Sequence, residues 1–258
     1  MQKIITSVAL ATVAVAALAG SAHADLNISG AVGLPINPTA QIPGAEGARI
    51  QANYFDLGGN AEYYGLFAAK RVGEKIEING GINKLSANAP NFPGSASIDR
   101  TGFSIGAKYL ISRENDAAGV RLAVGAGYNR ALLKNTNAYL VGTKYLGALD
   151  GGRVPITAHL GLRYDNFDGV PDAFGGSSSS DKFSVFVGAE VPISQTGNFT
   201  AVGELGTKIA DNGNTPYSIS VRYRPQGRPF GASVGLAQTG IGDGSRLFAQ
   251  LGYTFNTR

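Results

Sequence analysis

The chain has no cysteine and no tryptophan, and its single methionine is the first residue. Without cysteine there is no disulfide framework and no thiolate metal site. There are two histidines in 258 residues, and only His159 lies beyond residue 24. A nucleophile–base pair therefore has almost no material; the nearest hydroxyl on the same strand face is Thr157. Long apolar runs are missing too. After Asp25 nothing reaches the roughly 18 apolar residues that a membrane helix needs, and no long segment has helical periodicity. Net charge is small, with 22 Lys+Arg against 18 Asp+Glu. The charges do not cluster into the basic patch of a nucleic-acid binder, so no nucleic-acid partner is expected. Phosphate-loop, dinucleotide and zinc spacings are absent, and no cofactor or resident metal is expected.

What is present begins with an export signal over residues 1–24. Lys3 supplies the positive start, Ile4 to Leu18 is a short apolar run, and Ala22-His-Ala24 is a small-x-small cleavage site. The mature chain is expected to start at Asp25. Residues 25–47 hold Gly33-Leu-Pro-Ile-Asn-Pro-Thr-Ala-Gln-Ile-Pro-Gly44. Its three prolines exclude a central strand or a helix, so it reads as an extended lead-in lying in the periplasm or in a lumen. Residues 48–258 form the remaining domain.

That domain alternates with period two. In 246–255, Leu247, Ala249, Leu251, Tyr253 and Phe255 share one face; Arg246, Gln250, Gly252 and Thr254 share the other, with Phe248 the exception. Twelve such strands are expected, at 48–57, 60–72, 74–83, 100–111, 119–130, 137–147, 154–165, 181–191, 199–209, 216–224, 231–238 and 246–255. Strand 60–72 carries aromatics on both faces. The connections carry Gly, Asn and Asp turn chemistry, and the 37 glycines suit tight turns and close interior packing. Two connections are long, Lys84–Asp99 and Asn166–Ser180. They follow strands three and seven, so they share one end of an up-and-down barrel, as extracellular loops do.

A soluble sandwich would also alternate. Three features favour a transmembrane β-barrel. Apolar faces end repeatedly in Tyr or Phe (Tyr109, Tyr128, Tyr145, Tyr164, Tyr223, Phe255), as an interface girdle does. The strands run about ten residues, the length of a tilted bilayer crossing. The last strand is able to close onto the first. The expected fold is a single antiparallel up-and-down barrel of about 12 strands in the outer membrane. Outer-membrane lipid and the barrel assembly machinery are its expected partners, although Asn256-Thr-Arg258 follows the terminal aromatic. In general the chain resembles porin-like outer-membrane β-barrels.

The polar faces then line the lumen. The candidates are Lys108, Arg121, Lys144, His159, Arg163, Lys182, Glu190, Glu204, Arg222 and Arg246, with Glu77 beside them. Mixed charges of this kind make either a polar channel or a salt-bridged plug. Asp165, Asp168, Asp172 and Asp181 surround the second long connection, but their spacing fits no standard calcium loop, and a solvated acidic loop is the preferred reading. Gly-x-x-x-x-Pro-Thr-Ala followed by Pro-Gly and a first strand resembles the start of an outer-membrane barrel family linked to bacterial exopolysaccharide export. That resemblance implies export support and an envelope polysaccharide partner. The leading function is passive passage of small polar or anionic solutes, or export support. A structural or loop-display barrel is the second reading, and a barrel enzyme acting on lipid the third; no catalytic residue is assigned.

Overall fold

The computed structural model describes residues 25–44, 47–58, 60–89, 96–113, 119–130, 134–149, 154–171, 177–194, 196–208, 214–225, 227–240 and 244–256. The expected signal, residues 1–24, lies outside them. Twelve strands follow one another: β1 (Gly47–Gly58), β2 (Ala61–Val72), β3 (Ile76–Ala89), β4 (Ala96–Ser112), β5 (Arg121–Asn129), β6 (Lys134–Leu149), β7 (Val154–Pro171), β8 (Ser177–Pro192), β9 (Phe199–Gly206), β10 (Tyr217–Tyr223), β11 (Phe230–Gln238) and β12 (Arg246–Asn256). Each pairs antiparallel with its sequence neighbours, and β1 pairs with β12 from Gly47↔Asn256 to Phe55↔Phe248, closing the barrel. Closure leaves no sheet edge, which a bilayer requires because lipid offers no hydrogen bonds to unpaired backbone.

The outer surface is the apolar one. Ile82, Ile105, Leu160, Leu162, Phe183, Ile219 and Val234 all expose large apolar side chains outward. A water-soluble protein does not cover itself with such a belt; an outer-membrane barrel does. Aromatic pairs mark its two rims. Phe103–Tyr128 and Tyr164–Phe183 lie toward the β1–β2 turn, with centroids 5.7 and 4.9 Å apart. Phe199–Tyr223 and Tyr223–Phe230 lie toward the end where β1 starts and β12 finishes. The first rim is extracellular and the second periplasmic by the usual placement of barrel ends.

Two expectations need correction. The connections Lys84–Asp99 and Asn166–Ser180 are mostly strand: β3 and β4 stay paired to Ala89↔Ala96, and β7 and β8 to Pro171↔Ser177. The backbone ladder continues there without an alternating apolar pattern to announce it. Tyr145 does not belong to the outer girdle. It pairs with Thr157 on the lumenal face at the periplasmic rim.

The lumen is filled. Residues 25–44 fold inside the barrel, and Leu26, Val32, Leu34, Thr39 and Ala40 are almost completely buried. The segment makes its own turns. Asn27 Oδ1 accepts from the N–H groups of Ser29 and Ala31, both at 3.0 Å. A bridge joins Gly33 to Pro38. A Cβ on Gly33 would stand 2.3 Å from the Asn37 carbonyl oxygen, so only glycine closes this turn.

Apolar side chains of the segment meet apolar patches of the wall. Leu26, Val32 and Ile36 join a cluster with Phe55, Tyr63, Phe67 and Phe248. Ala40 and Ile42 pack with Leu110, Ala123, Tyr139, Val141 and Phe186. Phe248, the exception in its strand, stacks on Phe55 with centroids 5.2 Å apart. Strand β2 has aromatics on both faces for the same reason: Tyr63 and Phe67 point into the filled lumen, while Leu66 is exposed outside.

Candidate functional site: the lumen and its internal segment

The lumenal wall holds the segment through side chains that reach its backbone. An irregular chain buried away from water must satisfy its N–H and C=O groups. Gln51 of β1 does this reciprocally with Leu26: Oε1 accepts from the Leu26 N–H at 2.8 Å and Nε2 donates to its carbonyl at 2.5 Å. Asn53 Nδ2 donates to the Asn27 carbonyl and Tyr63 Oη to that of Ile28. Glu204 accepts from the Ile36 N–H at 2.7 Å and from both the backbone and the side chain of Asn37. Thr143 Oγ1 accepts from the Ala40 N–H at 3.0 Å.

The charged candidates are drawn into the same lattice. Lys108 and Glu77 face each other from adjacent strands at 3.0 Å, both with no exposed side-chain surface. Glu77 also accepts from the Val32 N–H, and Lys108 donates to the carbonyls of Val32 and Gln41. Arg222 contacts Asp25 and Glu190, each at 2.7 Å, and Arg224 pairs with Asp25. His159 sits between Thr143 Oγ1 at 2.9 Å and Glu190 at 3.3 Å. Arg163 is held by Asp165 through Nε and Nη2. Arg121 stands at the periplasmic mouth with Ile42, Pro43, Arg71 and Arg113. Lys182 lies opposite Asp165 on the lumenal face, and Arg246 sits near the extracellular rim, exposed.

Lys144 is a correction. It pairs with Ala158 and shares the outward face with Leu140 and Leu160, while its neighbour Thr143 points in beside His159. The outward placement has a physical reason. The lumenal face of β6 carries Tyr139 and Val141 to pack the internal segment, so polarity does not separate inside from outside there. The neutral anchors Gln51, Asn53 and Thr143 have no sequence signal of their own: each is an ordinary polar strand residue whose partner is the segment's backbone. Of the loop acids, Asp168 pairs with Lys134 and Asp181 accepts from Asn166. Asp172 lies outside the described residues. Among those residues, no group of three or more potential metal ligands comes together.

The buried pair offers a stability test. Lys108→Met leaves the buried Glu77 side chain without its cation partner, and breaking a buried pair costs about 3–5 kcal/mol. The variant is expected to lose its folded, fast-migrating gel band at a clearly lower temperature. Adding Glu77→Gln, which keeps an acceptor for Val32, should recover more than half of the loss.

No family model and no curated protein matches the sequence. Solved structures do match. A KdgM porin aligns at TM-score 0.52 with 10% identity, covering 82% of this chain and 99% of that one. A KdgM porin in complex with disordered oligogalacturonate aligns at TM-score 0.55 with 12% identity over 80% and 99%. A NanC porin aligns at TM-score 0.54 with 13% identity over 81% and 98%. At such identities the likeness is one of architecture, and the chain has the fold of porin-type outer-membrane barrels.

Proposed function

We propose that this chain is an outer-membrane channel for small polar, preferentially anionic solutes, held closed by residues 25–44. The observation that carries the proposal is the lumen's two-part construction. The wall's backbone ladder closes on itself without any strand from the segment, whereas the segment hangs on side-chain contacts to the wall. A porin-type cylinder of 12 strands has a backbone diameter of about 24 Å, wide enough to conduct once emptied. Charge supports the anionic preference. Arg49, Arg71, Lys108, Arg121, Arg163, Lys182 and Arg222 stand on lumenal strand faces against Glu77, Asp165, Glu190 and Glu204. Withdrawal of the segment also removes Asp25 from Arg222 and Arg224. Lumenal Lys and Arg favour anions, and a low-dielectric wall reinforces the effect. Support of polysaccharide export is the narrower form of the proposal. It rests on the N-terminal resemblance, whose residues are those of the internal segment. The filled lumen favours one other reading, a closed structural barrel.

The test is reversal potential under a salt gradient, measured on protein lacking the segment. Anion preference is expected, falling in Arg121→Glu with Lys182→Glu. Cation preference in the unsubstituted pore would refute the lumenal assignment. A folded barrel that stays silent without its segment would favour the structural reading.

A further inference from the structure

Above the internal segment, on the extracellular side, the lumen keeps an open vestibule, with about 80 Å³ of room for the centres of water-sized molecules. Its floor is the segment itself, at Ile28, Ser29, Ile36 and Asn37. Its wall includes Asn135 and Asn137, two residues apart on the lumenal face of β6, and the rings of Phe167 and Phe186.

The two amides are buried and underused. Asn135 is 6% exposed and Asn137 7%. Asn135 spends its Nδ2 on Asp165 at 2.7 Å, and its Oδ1 has no partner. The Asn137 side chain makes no hydrogen bond to the protein among the described residues. Gln51 and Asn53, on the wall beside Leu26, spend their amides on the segment's backbone and on each other, while Asn83 leaves its Oδ1 open as Asn135 does. Buried polar groups are normally paired; the buried Asn135 Oδ1 has no partner and the Asn137 amide beside it makes no bond to the protein among the described residues, so this cavity wall is a place where another molecule supplies the partners.

We propose that this vestibule binds a neutral, hydroxyl-rich ligand of the saccharide class. An amide presents one acceptor and two donors without charge, which matches a hydroxyl that both donates and accepts. Alternate residues on one strand face stand about 7 Å apart, a spacing that adjacent parts of one sugar unit can bridge. Buried Phe167 and Phe186 offer apolar surface to the C–H face of a sugar ring. The charged member of the wall is already compensated, because Arg163 is held by Asp165. A carboxylate would therefore meet no unspent cation there and would stand near the fully buried Asp165. Because Asn37 and Ser29 form the floor, the ligand would also rest on the closing segment.

The test is titration calorimetry on residues 25–258 in detergent, which needs no conduction and so stands or falls separately from the channel reading. The titrants are neutral gluco-, galacto- and manno-oligosaccharides and a galacturonate oligomer of equal length. At least one neutral oligomer is expected to bind about tenfold more tightly than the acidic one. Asn135→Leu with Asn137→Leu should lower that affinity about tenfold, and Asn137→Ser, which keeps a hydroxyl at shorter reach, by less. Heat-shifted gel migration confirms that each variant is folded. Absence of binding by every neutral oligomer, tighter binding of the galacturonate, or full affinity in a folded double variant would each overturn the proposal.

Discussion

Removing residues 26–42 from the chain Asp25–Arg258 is expected to turn a silent barrel into a conducting one, raising solute entry into liposomes about tenfold or more, since an unobstructed polar lumen conducts. The barrel should survive the deletion, because every strand is paired on both sides by other strands. What it loses is lumenal packing. Leu26, Val32, Leu34 and Ile36 are each buried there, and burying such a side chain is worth about 1.5–3 kcal/mol. The deleted protein should therefore unfold at lower temperature while conducting more. Reversible locking separates plugging from general damage. Ala40 N and Thr143 Oγ1 are 3.0 Å apart, and the natural chain contains no cysteine to interfere. Ala40→Cys with Thr143→Cys, joined by a short thiol crosslinker, should stay silent under voltage or mild denaturant that opens the uncrosslinked protein. Equal conductance of full-length and deleted protein would show that the segment does not close the pore.

Leu160→Arg is expected to cost about 2–4 kcal/mol of insertion stability, the range for Arg or Lys on the lipid face near mid-bilayer. Leu160 is 60% exposed and points outward from β7. Thr157→Arg, three residues away on the lumenal face near the periplasmic mouth, should cost far less, because its guanidinium reaches water. Folding yield into lipid vesicles, read by gel migration before and after boiling, measures both. A Thr157→Arg loss as large as that of Leu160→Arg would invert the inside–outside assignment of β7.

The β7 pattern shows what a sequence of this kind makes legible. Leu160 and Leu162 alternate with His159 and Arg163 because one face meets lipid and the other a polar interior, and the chain itself carries that contrast. The repeated alternation also carries the strand count, the up-and-down order and the aromatic rims, since each follows from local period and turn residues. β6 and β2 show where this legibility ends. Their inward faces carry Tyr139, Val141, Tyr63 and Phe67, which look lipid-facing when a lumen is assumed to be wet. The assumption fails because the lumen holds a second piece of chain.

The sequence by itself determined an all-β chain with twelve period-two strands and a proline-stiffened lead-in that belongs to no ladder. Only the tertiary structure decided where that lead-in goes and which charges remain to act on a solute. Glu204 and Ile36 are 168 positions apart, and Gln250 and Leu26 are 224 apart. No local spacing encodes such contacts. They exist because closing the barrel brings side chains from distant strands around one axis, and because a buried, irregular backbone takes its hydrogen bonds from whichever side chains the closed wall presents.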